Sequence, residues 1–139
     1  MDWHKTTLEV RTSGKGLYEL SASIRTQLHQ WEVTEGICYL FIKHTSASLL
    51  ITESWAPSAR TDLETFMEKL APENERWYTH TLEGADDATS HIRAMMTDVS
   101  LTIPIDNGNL SLGQWQGVYL FEHRKIPHHR HILMRSLTF

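Results

Sequence analysis

The segment His44-Thr45-Ser46-Ala47-Ser48 joins two apolar stretches through four polar side chains, at a place where a plain hairpin would use Gly, Asn or Asp. Thr45, Ser46 and Ser48 are therefore candidate substrate-binding residues, and His44 a candidate proton acceptor or metal ligand; the plainer alternative is hydroxyls that satisfy their own turn. His91 shares a helical register with Ala88, Ile92 and Met95, which points it inward, where its ring nitrogens need partners. Either it is a core histidine bonded to a carbonyl, or it is a ligand or acid/base. His80, Glu83, Asp86 and Asp87 gather imidazole and carboxylate groups within a dozen residues of it, donors that suit Mg²⁺, Mn²⁺ or Zn²⁺, although their spacing matches no established zinc pattern. An acidic pair at a helix start also serves as cap and dipole compensation.

Other candidates are more scattered. Asp62 borders the apolar stripe of a helix and is a candidate catalytic carboxylate. Trp115, flanked by Gly113 and Gly117, could stack on a planar ring or pack as core. Glu122-His123-Arg124 ends a strand with a carboxylate, an imidazole and a guanidinium. Glu122 is a candidate catalytic group, and Arg124 suits a phosphate or carboxylate, which its fork binds bidentately. The candidate metal set is His44, His80 and His91. His128-His129-Arg130-His131 reads as a hairpin loop, because adjacent histidines in a strand face opposite ways.

Thirteen Lys plus Arg against seventeen Asp plus Glu give a net charge of −4, with no broad cationic surface for a nucleic-acid backbone. The length of 139 residues fits one domain spanning 1–139. No apolar run approaches the ~20 residues of a membrane span, and the start MDWHKTTLEVR lacks the apolar region of a signal peptide, so a cytoplasmic protein is expected. Cys38, the single cysteine, lies in an apolar run and reads as a small buried hydrophobe.

These residues need elements to hold them. Residues 3–11 suit a half-buried strand. Leu17, Leu20, Ile24, Leu28 and Trp31 form one helical stripe, and Ile37–Ile42 reads as a strand covered on both faces. A second short strand runs through Leu49–Ile51. Pro57 and the set Leu63, Phe66, Met67 and Leu70 mark a second helix, and a third begins at Asp86 and Asp87. Val99–Ile105 alternates as a strand, Asp106-Asn107-Gly108-Asn109 is a hairpin signal, Gln114–Glu122 reads as the return strand, and Ile132–Leu137 as the last. Strands outnumber helices without a βαβ rhythm, which predicts a mainly antiparallel α+β domain with about three helices.

With these motifs set out, HTSASLLITES, YTHTLEGADDATSHI and SLTIPIDNGNLSLGQWQGVYLFEHR resemble the YjbQ family, often described as secondary thiamine-phosphate synthases. The resemblance covers essentially the whole chain. It implies a compact, jelly-roll-like β-sandwich, a homotrimer, and weak thiamine-phosphate synthase activity that joins a hydroxymethylpyrimidine diphosphate to a thiazole phosphate. The family's polar positions fall on His44, Ser46, Glu53, Asp62, His80, Glu83, Asp86, Asp87, His91, Trp115, Gln116, Glu122 and Arg124. Its glycine-rich last hairpin is Pro127-His128-His129 here.

The resulting expectation is a divalent-metal site acting on a small phosphorylated substrate, with His44, Asp62, His80 and His91 in one cavity and Arg124 at its mouth. The alternatives are a non-catalytic ligand- or metal-binding trimer and a metal-dependent hydrolase.

Overall fold

A computed structural model describes residues 1–139. The chain runs β1 (Asp2–Arg11), β2 (Gly16–Glu19), α1 (Ser21–Gln30), β3 (Gly36–Ile42), β4 (Ala47–Glu53), α2 (Pro57–Leu70), α3 (Asp87–Met96), β5 (Ser100–Asp106), β6 (Asn109–Leu110), β7 (Gln116–Glu122) and β8 (His129–Thr138). Five strands form one sheet in the order β1-β8-β3-β5-β6, and three form another in the order β2-β7-β4. Every neighbouring pair is antiparallel. The sheets curl around one core and keep open edge strands, so the α+β class holds while the closed sandwich does not.

That core is built by alternation. Cys38, Leu40 and Ile42 of β3, Leu49 of β4, Val118 and Leu120 of β7, and Ile132 and Met134 of β8 turn inward against Ile24 and Leu28 of α1. Each such buried aliphatic side chain contributes roughly 1.5–3 kcal/mol of transfer free energy. Ile37, Tyr39 and Phe41 stay 37–38% exposed on the opposite face, so β3 is a one-sided strand. The helix expected from Leu17 starts only at Ser21, because Leu17 pairs with Phe121 as part of β2.

The turn at Asn107 and Gly108, both at positive φ, returns only the two-residue β6 to β5. The strand expected to complete that hairpin instead crosses to the second sheet as β7, between β2 and β4. On α3 the buried residues are Asp87, Thr89, Ser90, Arg93 and Ala94, while Met95 is 77% exposed. The inward stripe lies elsewhere on the helix than the one predicted. No helix is long and apolar enough to cross a membrane.

One consequence of the topology positions the site. Ala47 pairs with Glu122, and His123 N–H donates to Ser46 O (3.2 Å), so the segments around 45–46 and 122–124 lie side by side. The first turn of α3 docks onto that junction.

Candidate metal centre

Arg124 makes the docking. Its Nε donates to Asp86 Oδ2 (3.1 Å), its Nη1 to Asp87 Oδ1 (2.6 Å) and its Nη2 to Glu83 O (3.1 Å). Asp86 is the N-cap residue of α3, but its side chain makes no capping hydrogen bond. Burial would raise the Asp86 carboxyl, but the backbone N–H of Lys125 and the Arg124 guanidinium outweigh it and hold Asp86 below its ordinary value. Asp87 is likewise held low: burial opposes, and the His80 hydrogen bond and the charges of His91 and Arg124 prevail.

Two imidazoles close on the other oxygen of Asp87. His80 Nε2 lies 2.5 Å and His91 Nε2 3.0 Å from Asp87 Oδ2, and all three atoms fall within one ligand-sized sphere. His91 Nδ1 sits 2.8 Å from Thr45 O. A carbonyl only accepts, so Nδ1 carries the hydrogen, and the Nε2 of a neutral ring is a bare lone pair aimed at a carboxylate. Two acceptors face each other at that distance only with a proton or a cation between them. A backbone carbonyl that accepts from the other imidazole nitrogen is the outer contact that orients metal-binding histidines.

The donor set fits a zinc-class ion. Bonds of about 2.0–2.2 Å at tetrahedral angles place ligand atoms about 3.3–3.6 Å apart. His91 Nε2, at 3.0 Å from Asp87 Oδ2, is close to that spacing, and His80, whose side chain is 51% exposed, has room to move outward toward it. Three protein ligands leave a fourth position, and His80 also lines a cleft of about 450 Å³ with Asn74, Arg76, Tyr78 and Gly84.

The expected gathering of His44, Asp62, His80 and His91 does not occur. His44 Nε2 accepts the backbone N–H of His131 (2.8 Å), so the lone pair that would bind metal is engaged away from His80. Burial, followed by the charges of Arg130 and His131, lowers its pKa. Asp62 is exposed on α2. Glu122, read as catalytic, is fully buried: Arg130 Nε (2.7 Å) and Thr12 Oγ1 (2.7 Å) donate to Oε1, while Arg130 Nη2 pairs with Oε2. Burial opposes its ionisation and those hydrogen bonds overcome it, which keeps the carboxyl low. This is an internal ion pair, and Glu122 itself has no exposed surface.

Of the substrate-binding candidates, Thr45 and Ser46 line one cavity of about 470 Å³ with His44 and Arg130, whereas Ser48, Trp115 and Arg124 do not reach it. Ser46 Oγ accepts from Arg130 Nη2 (2.9 Å). Ser48 is fully buried against His123 Nε2 (2.9 Å) and takes a hydrogen bond from Thr97. Thr45 acts through its carbonyl. Trp115 is 51% exposed, edge-on to Trp55, and precedes β7 while Arg124 follows it. A seven-residue strand spans roughly 20 Å, so one small ligand cannot touch both. Arg124 has its guanidinium turned to Asp86, Asp87 and Glu83 and holds these groups in place, so its fork is already occupied. Asp87 is the candidate ligand that the capping alternative obscured; its i, i+4 spacing from His91 was the available signal.

The family model for the UPF0047 protein YjbQ-like group matches residues 6–138. The chain belongs to the YjbQ family. Among its relatives, a UPF0047 protein of Synechocystis is 44% identical over 131 residues, covering 94% of this chain and 89% of that protein. A crystal structure of an uncharacterised conserved YjbQ/UPF0047 family protein from Clostridium acetobutylicum superposes with a TM-score of 0.87 at 27% identity, covering 95% of this chain and 99% of that one. A YbjQ-like protein of unknown function from Sulfolobus solfataricus, 20% identical with 99% and 100% covered, shares the fold with a TM-score of 0.85. The thiamine-phosphate synthase assignment is corrected by these YjbQ relatives. They are named for the family alone, as uncharacterised, or as of unknown function, and none is named a synthase.

Proposed function

We propose that the protein binds one divalent ion of the zinc class through His80 Nε2, Asp87 and His91 Nε2, and presents the open coordination position to a small phosphorylated or otherwise anionic ligand. The observation that carries this reading is the convergence of two Nε2 atoms on Asp87 Oδ2, with the His91 tautomer set by Thr45 O. A metal there supplies a Lewis acid that polarises a ligand oxygen. The chain's own residues do the rest. Arg124 and Asp86 aim Asp87, Thr45 O orients His91, and Arg76 in the adjoining cleft supplies positive charge for the ligand.

The homotrimer implied by the family resemblance belongs to the same proposal. Trp3, Trp55, Trp77 and Trp115, four of five tryptophans, are 51–75% exposed, which supports burial of such surface between subunits. Sedimentation equilibrium reads the assembly directly.

Calorimetric titration with Zn²⁺ tests the metal reading. The His80→Ala/His91→Ala protein loses one equivalent of binding that the parent has, with an unchanged circular dichroism spectrum. Inorganic phosphate then binds the metal-loaded parent and not the variant. Unchanged stoichiometry in the variant would contradict the reading.

A further inference from the structure

β8 alternates strictly. Arg130, Ile132 and Met134 point into the core, and His129, His131 and Leu133 point to the outer sheet face. Adjacent histidines diverge, but histidines two apart converge, and the rings of His129 and His131 lie with centroids 4.5 Å apart. Antiparallel register sets Glu9 of β1 directly opposite His131. Its Oε1 is 3.3 Å from His131 Nε2 and 3.7 Å from His129 Nε2. Both separations lie close to the edge of a tetrahedron around an ion with bonds of about 2.0–2.2 Å. The three donors come from a paired β-ladder, so their spacing is built by backbone hydrogen bonds instead of loop conformation. His131 is further steadied where its N–H meets His44 Nε2 and where the two rings stack with centroids 6.0 Å apart.

We infer that Glu9, His129 and His131 form a second, independent binding site for a divalent transition metal on the outer face of the β1–β8 ladder. Two imidazoles and one carboxylate suit Zn²⁺, Ni²⁺ or Cu²⁺ in preference to Mg²⁺ or Ca²⁺, which take oxygen donors. The site shares no residue with His80, Asp87 and His91. It clips the end of the edge strand β1 to β8, and its partial exposure makes the ion exchangeable.

Calorimetry with NiCl2 tests it on the full chain carrying His80→Ala/His91→Ala, which leaves this site alone in the comparison. That protein binds one equivalent, and adding His129→Ala/His131→Ala abolishes it. Glu9→Gln alone weakens binding at least tenfold. Because all three side chains are partly exposed, the variants are expected to fold, and unchanged circular dichroism confirms it. As a measurement that needs no variant of these residues, Ni²⁺ broadens the imidazole NMR signals of His129 and His131 before those of His4 or His29. Retention of the equivalent without His129 and His131, or uniform broadening of all histidines, would overturn the inference. Failure of the Zn²⁺ titration at His80 and His91 would leave this result untouched.

Discussion

Lowering the pH from 7.5 to 5 should destabilise this protein through one residue that plays no part in the metal centre. His123 is fully buried, with Nε2 on Ser48 Oγ at 2.9 Å and no hydrogen-bond partner for Nδ1. Burial, followed by the charges of Arg93 and Arg130, lowers its pKa from 6.5 to about 3. The unfolded chain therefore takes up a proton below pH 6.5 that the folded chain refuses until about pH 3. Stability contributed by the neutral ring is fully present above 6.5 and is lost as pH falls, at about 1.4 kcal/mol per pH unit. By pH 5 the loss is about 2 kcal/mol, in a range where carboxylates scarcely titrate. His44, whose pKa is also lowered by burial, acts in the same direction. Comparison with His123→Gln removes that background, since the variant keeps His44 and a polar partner for Ser48. Urea unfolding at pH 7.5, 6.5, 5.75 and 5, at one protein concentration, should give a parent curve that falls about 2 kcal/mol further than the variant's. Curves parallel within about 0.5 kcal/mol would refute the burial argument.

Three other outcomes follow from particular contacts. Glu122→Gln leaves the buried Arg130 charge without its counterion and costs about 3–5 kcal/mol, a fall in Tm of roughly 10–15 °C by calorimetry. Arg124→Gln frees Asp86 and Asp87 and weakens Zn²⁺ binding about 10–100-fold by competition titration, with secondary structure retained. At Gly36 an added Cβ would collide with the Leu137 carbonyl oxygen and lie 3.0 Å from Thr138 Cα, so Gly36→Ala costs about 1–3 kcal/mol by urea unfolding, through strain between β3 and β8.

Much of the local structure was readable because it depends on local chemistry. Alternation placed β1, β5 and β8 within a few residues, Pro57 marks the start of α2, and Asn107-Gly108 makes the expected turn. What the local pattern cannot carry is partner choice. Gln116–Glu122 looks like a return strand after that turn, yet its apolar residues bury better between β2 and β4. The site divides the same way. His91 was visible as an imidazole turned out of place on a helix, and His80 and Asp87 as neighbours in a dense cluster. The carbonyl that sets its tautomer, Thr45 O, lies 46 residues away and belongs to a loop placed by the β4–β7 pairing. His44 and Glu122 were chemically apt candidates, but His44 Nε2 is taken by the His131 N–H and the Glu122 carboxylate by Arg130. His129 and His131 read as loop residues because adjacent histidines in a strand diverge, and only the start of β8 at His129 brings the two onto one face.

The central claim is that His80, Asp87 and His91 share one ion. Anomalous diffraction from a crystal soaked in Zn²⁺, recorded on both sides of the zinc edge, tests it most directly. The expected result is a peak about 2.0–2.2 Å from His80 Nε2, His91 Nε2 and an Asp87 carboxylate oxygen, with His91 Nδ1 still on Thr45 O. A map with no anomalous density among these three side chains, in a crystal where zinc occupies other positions, would contradict it.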